Sequence, residues 1–173
     1  KLLGRYFFSV FLSKYLINPV RISKSYFDLM EKEFFLIKKY FKNNHKILSI
    51  GSGIGGLEIL MSKKLDSHIT FIEKNYVSKK IKYGWDKMNH EAYNNLNLLK
   101  FFLLDNGIKK DNFAIFDFDQ DKLPDTKFDA IISLYSLDYH YGFELYEDYL
   151  KKVMKPETIL IFDTIRPNYF KEI

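Results

Sequence analysis

Three groups of residues in this 173-residue chain have the types and spacing to do chemistry. The first is Gly51-Ser-Gly-Ile-Gly-Gly56. It fits G-x-G-x-x-G through Gly51, Gly53 and Gly56, and G-x-G-x-G through Gly51, Gly53 and Gly55. Glycines so placed let the backbone approach a ligand and aim amide N–H groups, including that of Ser52, at it. Glu73 lies 22 residues after Gly51. A carboxylate there, at the end of the next strand, can accept from both hydroxyls of a ribose. The second group is acidic: Asp117, Asp119, Asp121 and Asp125. The third is Asp138-Tyr-His-Tyr141, where His140 has the chemistry of a general base and Asp138 is a second carboxylate. A tight turn, a solvated charge and a packing histidine are the plain alternatives for these groups, so the elements that carry them decide.

The glycine turn has a telling setting. Lys46-Ile-Leu-Ser-Ile50 is a short apolar run bounded by Gly51, which predicts a buried strand. Leu57, Leu60, Met61 and Leu65 then take helical spacing, and His68-Ile-Thr-Phe-Ile-Glu73 predicts a second strand. Residues 46–73 therefore have the length of one βαβ unit. Upstream, Pro19 ends an apolar stretch, and Ser25-Tyr-Phe-Asp28 reads as a capping box. Phe27, Met30, Phe34, Ile37 and Phe41 form one stripe of a helix expected over 26–42, closed by Asn43-Asn44. Downstream, residues 76–88 suggest a short helix running into a loop at Gly84. A longer helix is expected from Met88, with Ala92, Leu96, Leu99 and Leu103 on one face and Gly107 as its cap. Strands follow at 112–118, 128–134 and 158–162. A helix over 144–154 turns Tyr146, Leu150 and Val153 inward. Strand and helix alternate with no hairpin signal, which predicts an α/β, doubly wound, mostly parallel sheet with helices on both faces. Ligands of such sheets bind beyond the carboxyl ends of the strands, where strand order reverses.

Composition bounds the rest. The formal net charge is +5, yet residues 1–50 hold 10 Lys/Arg against 3 Asp/Glu. A basic segment of that kind suits an anionic partner without naming one. Cysteine is absent, which excludes disulfides, thiolate metal sites and a cysteine nucleophile. Leu2, Leu3, Phe7, Phe8, Val10, Phe11, Leu12, Leu16 and Ile17 are apolar, but Arg5 and Lys14 interrupt them, so neither a membrane span nor a signal peptide is expected. Packing on the domain is the main expectation for this stretch, with peripheral membrane contact or a lid as alternatives. Cytoplasmic placement is expected. The expected division is a helical segment over 1–44 and a ligand-binding domain over 45–173.

Dinucleotides and S-adenosylmethionine (SAM) both use a glycine turn followed by an acid at this spacing. Ile47-Leu-Ser-Ile-Gly-Ser-Gly-Ile-Gly-Gly-Leu-Glu58 resembles the first motif of class I SAM-dependent methyltransferases. Asp119-Gln-Asp-Lys-Leu-Pro124, with Lys127-Phe-Asp-Ala-Ile-Ile-Ser133, resembles that family's acidic turn and fourth strand. The resemblance covers residues 46–163. It implies a Rossmann-like domain with SAM as cofactor. Glu73 would hold the ribose, and Gly51, Gly53 and their neighbours Ser52 and Gly55 the methionine part. Asp119 would accept from the adenine amino group, with Asp117 as the fallback and Gln120 supplying a backbone amide. Ser133, Leu134 and Tyr135 would pass near the sulfonium. The family's sheet usually continues past the fifth strand into a closing antiparallel pair. The ten residues after Asp163 leave no room for it, so a trimmed chain, or an edge covered by an oligomer partner or the N-terminal helices, is expected.

The acceptor is less constrained. There is no Pro-Pro turn after the fourth strand, as amino-directed nucleic-acid methyltransferases have, so nucleic acid is not the expected partner. Ser133-Leu-Tyr-Ser-Leu-Asp-Tyr-His-Tyr141, with Pro19-Val-Arg-Ile-Ser23, is similar to methyltransferases of sugars in bacterial surface polysaccharides. The expected reaction is O-methylation of a sugar or other small acceptor, with His140 as base, Asp138 beside it, and Tyr135, Tyr141 and Trp85 walling the acceptor. No metal is expected, since Asp163-Thr164 matches only half of the Asp-Asn pair of catechol-type enzymes. A non-catalytic SAM-fold subunit, a small NAD-binding domain and a nucleic-acid methyltransferase remain alternatives.

Overall fold

The computed structural model describes residues 15–75, 94–139 and 142–168, together with the backbone of two short strands. The chain enters through helix α1, Pro19–Ile37. Its N-cap is Asn18, whose side-chain oxygen accepts from the amides of Val20 at 3.0 Å and Arg21 at 3.2 Å. Pro19 sits in the first turn, where a missing N–H costs nothing and its fixed φ suits a helix. This corrects the capping box expected at Ser25. The stronger start signal lies earlier, and the helix runs through Ser25 without a break. A short 3-10 turn, Lys38–Tyr40, ends it, and Asn44 adopts a positive φ of 61°.

Five parallel strands form the sheet: β1 (Lys46–Ile50), β2 (His68–Glu73), β5 (Phe113–Asp117), β6 (Ala130–Ser133) and β7 (Ile159–Phe162). Their order is β5-β2-β1-β6-β7, with order reversing between β1 and β6. Helices α2 (Gly56–Leu65), α3 (Leu96–Asp105) and α4 (Glu147–Val153) connect them. The expected doubly wound parallel architecture is therefore present. Two expectations fail locally. The helix from Met88 begins only at Leu96, capped by Asn95, whose side chain accepts from Leu98 N at 3.1 Å. Ala92 instead belongs to a small antiparallel pair, β3 (Trp85–Asp86) with β4 (Glu91–Ala92), for which no hairpin signal had been read. Asn94-Asn95 supplies the local reason, because such a side chain competes for backbone amides and starts helices rather than extending them.

Strand periodicity divides the core cleanly. Ile47 on β1, Ile69 and Phe71 on β2, and Ala130 and Ile132 on β6 point to one face. There they pack with Phe34 and Ile37 of α1, Leu57, Ile59 and Met61 of α2, and Leu99 and Leu103 of α3. Leu48, Ile50, Ile72 and Ile131 point to the other face, against Phe128, Leu137, Tyr146, Leu150 and Val153. Apolar residues on both faces of the central strands keep them in the interior of a parallel sheet. The expected helical segment and the sheet thus share one core. Among the described residues, no helix is long and apolar enough to cross a membrane.

Candidate functional site

Every strand of the sheet ends at the same rim, and the glycine turn rises from it between β1 and α2. Gly51 has φ +71°. A Cβ built on it would lie 1.8 Å from the Ser136 Oγ, so nothing larger than hydrogen fits while the loop after β6 holds its place. That loop is pinned: Ser133 Oγ donates to the Ile50 carbonyl at 2.7 Å and accepts from Leu137 N at 3.0 Å. Gly53, also at positive φ, faces open space, which leaves its backbone approachable.

Glu73 closes the turn from the end of β2. Its Oε1 accepts from Ser52 Oγ at 2.9 Å and from Gly53 N at 3.1 Å. The side chain is buried, and burial pushes its carboxyl up to about 7 despite those donors. A second buried carboxylate, Glu58, projects from the first turn of α2 and accepts from Ser49 Oγ at 2.5 Å. Burial likewise pushes it up to about 7. The Tyr26 hydroxyl of α1 accepts from Gly56 N at 3.0 Å, satisfying an orphan amide of the α2 first turn. Burial, with the nearby charge of Glu58, pushes that phenol up to about 12.

These groups surround a cavity of about 310 Å³. Its wall takes in the glycine turn with Glu73, Lys74 and Asn94, then Leu57 and Glu58 of α2, Tyr26, Met30 and Glu33 of α1, and Leu134 to Ser136 after β6. It opens where strand order reverses, the place that topology assigns to a ligand. Gly51, Ser52, Gly53, Glu73, Leu134 and Tyr135, each expected in the site, all line it. Gly55 does not; its φ of +77° instead serves the turn, and a Cβ there would touch Leu99 at 3.0 Å. Ser133 is buried beneath the rim and acts as the pin just described.

The acidic turn lies beside this cavity. Asp117 is buried, and its Oδ1 accepts from Asp119 N at 3.0 Å, so the fallback residue is committed to shaping the turn. The Asp119 carboxylate is half exposed and pairs with Lys74 Nζ at 3.4 Å. The Gln120 amide points back to the Asp117 carbonyl at 3.3 Å rather than outward.

Asp138 requires a correction. It was expected as a second carboxylate beside the acceptor, but its side chain is fully buried. Oδ2 accepts from Thr164 Oγ1 at 2.5 Å and Oδ1 from Arg166 Nε at 2.6 Å. Burial opposes ionisation, but Arg166 and Thr164 outweigh it and hold the carboxyl below its usual range. Asp138 therefore ties the loop after β6 to the segment after β7. Arg166 also donates to Glu144 at 2.9 Å. His140, Tyr141 and the Trp85 side chain lie outside the described residues. Sequence reasoning missed Tyr26, Glu33, Glu58 and Ser136. Glu58 alone carried a signal, as an acid among the apolar positions of α2.

Comparison with solved structures finds the same architecture in methyltransferases. A SAM-dependent methyltransferase from Geobacter sulfurreducens, in complex with S-adenosylhomocysteine (SAH), matches 77% of this chain and 46% of its own, at 13% identity and TM-score 0.53. Phosphoethanolamine N-methyltransferase 2 of Haemonchus contortus, in complex with SAM, matches 76% and 27%, at 14% identity and TM-score 0.54. The fold is the Rossmann-like methyltransferase fold. Coclaurine N-methyltransferase, bound to N-methylheliamine and SAH, matches 79% and 35%, at 13% identity and TM-score 0.52. The chain thus spans less than half the length of each of these neighbours. No protein-family model and no curated protein matches the sequence.

Proposed function

We propose that the chain binds SAM in this cavity and transfers its methyl group to an oxygen of a small, sugar-like acceptor. The observation that carries the reading is Glu73, a buried carboxyl seated on one amide and one hydroxyl of a glycine turn at the reversal of strand order. The ribose hydroxyls replace Ser52 and Gly53 as donors to Glu73. Gly51 to Gly53 face the methionine part. Asp119 takes the adenine amino group, because Asp117 is already occupied by the turn. SAM supplies an electrophilic methyl group on a sulfonium, and the chain's own work is to hold the nucleophile in line with it. The wall formed by Tyr26, Met30, Leu134 and Tyr135 performs that positioning and excludes water. With Asp138 locked by Arg166, proton removal from an alcohol falls to His140. His140→Ala should then cut turnover by about 10²–10⁴-fold while SAH affinity is kept. A panel of sugars and sugar nucleotides, assayed for methyl uptake from labelled SAM, tests the acceptor class; methylation of RNA and of no carbohydrate would reject it.

A further inference from the structure

The cavity wall carries charged side chains from several elements. Lys74, next to Glu73 in the chain, lines the wall and pairs with Asp119. On the α1 side of the wall stands Glu33, half-buried, with Tyr26, Met30, Leu134 and Tyr135 in the same wall and the buried Glu58 of α2 as a further carboxyl in it. Among the described residues no lysine or arginine pairs with Glu33. Its hydrogen-bond partner is neutral: the Tyr135 hydroxyl donates to Glu33 Oε1 at 3.2 Å. The charge of Glu33 is the main reason that the Tyr135 phenol is held above its ordinary value.

Tyr135 itself is held out of the core. Its φ is +57°, a conformation a bulky residue adopts only when its surroundings impose it. Its amide donates to Asp163 Oδ2 at 3.1 Å. Tyr135 stands 55% exposed at the cavity wall. It meets the ring of Tyr139 edge to face, centroids 6.4 Å apart, and Tyr139 is exposed as well. An uncompensated carboxylate beside exposed phenol rings has the chemistry of a cation site. The faces of aromatic rings carry negative potential, and a carboxylate completes the attraction.

We propose that the acceptor carries an organic ammonium group, held in this cavity by Glu33 and the ring of Tyr135, which Tyr139 buttresses from outside the wall. The inference rests on the reading of this cavity as a methyl-transfer site. It adds the charge of the acceptor, which an amino sugar or an alkylammonium alcohol would satisfy. Glu33 and Tyr135 lie on different elements, α1 and the loop after β6, so the site forms only when α1 is docked on the sheet.

Ligand-observed NMR tests this with tetramethylammonium as the cation and tert-butanol as its uncharged match in size. Both are titrated into the protein alone and into the protein with SAH. The expected result is tetramethylammonium binding about ten-fold tighter than tert-butanol at low salt, with the preference shrinking as salt is added. Glu33→Gln should bring the two ligands to parity, and Tyr139→Leu should reduce the preference, each with SAH affinity kept. No preference in the wild-type protein, or a preference that survives Glu33→Gln, overturns the proposal. Failure of SAH to bind would instead count against the cofactor reading, because the protein-alone titration still decides the charge of the acceptor site.

Discussion

Replacing Gly51 by alanine isolates the contact that sets the shape of the site. The added Cβ would fall 1.8 Å from Ser136 Oγ and 2.2 Å from Ser136 Cβ, where ordinary contact begins near 3.4 Å. Ser136 cannot simply retreat, because Ser133 ties its loop to Ile50 and Leu137 on either side. Forced overpacking of this kind costs about 1–3 kcal/mol. The φ of +71° adds about 1–2 kcal/mol for a residue with a Cβ. Gly51→Ala should therefore lose on the order of 2–5 kcal/mol, read from urea unfolding monitored by far-UV circular dichroism. Ser136→Gly removes both clashing atoms. In the double variant only the backbone strain should remain, so about 1–3 kcal/mol returns as coupling between the two sites. A Gly51→Ala protein within 0.5 kcal/mol of wild type, by the same curves, would refute the geometry (a loss near ~0 has no place in this reasoning). A double variant no more stable than the single one would refute it equally.

Further predictions concern the buried carboxyls and the latches. Glu73 in the ligand-free site keeps its proton up to about pH 7, whereas ribose hydroxyls donate to the carboxylate; SAH affinity should rise as pH increases towards 7, by up to about tenfold per pH unit, and level off above it. Calorimetry at pH 5.5, 6.5 and 7.5 should show this slope, and Glu73→Gln should remove it. Glu58 binds its proton more tightly folded than unfolded, so it costs stability as pH rises from its unfolded value near 4.5 to its folded value of about 7. Glu58→Gln should flatten the fall in unfolding free energy between pH 5 and 8. Tyr26→Phe loses one neutral hydrogen bond to Gly56 N and should cost about 1 kcal/mol, seen as a lower Tm in scanning calorimetry. Arg166→Ala and Asp138→Asn remove two ends of one ion pair, so their combined effect on Tm should be smaller than the sum of the single effects.

The sheet was legible because its signals are local. The short Ile-rich runs at 46–50 and 68–73, with a glycine turn between, allow little but a βαβ unit, and the same composition marks β5, β6 and β7. Glu73 followed from spacing alone, since the strand that carries it starts and ends at readable places. The start of α1 was misplaced because Ser25 and Asn18 both offer caps, and only the proline after Asn18 separates them physically. The segment from Met88 misled because Ala92 falls on the face of the later helix by arithmetic, while Asn94 and Asn95 break that face. Asp138 illustrates a deeper limit. Its role depends on Arg166, 28 residues later, and on the pairing of β6 with β7 that brings the two together. Glu33 and Tyr26 were illegible for the same reason: they enter the site through the docking of α1 on the sheet, a tertiary event with no local pattern.

The most direct test of the central claim is a calorimetric titration of SAH and of NAD into the wild-type chain and its Glu73→Ala variant at pH 7.5. SAH should bind the wild type and NAD should not. The variant, folded by circular dichroism, should bind SAH weaker by roughly 1–3 kcal/mol, the size of a lost pair of charge-assisted hydrogen bonds. A folded wild-type chain that takes up no SAH, or a Glu73→Ala variant with undiminished affinity, would contradict the account.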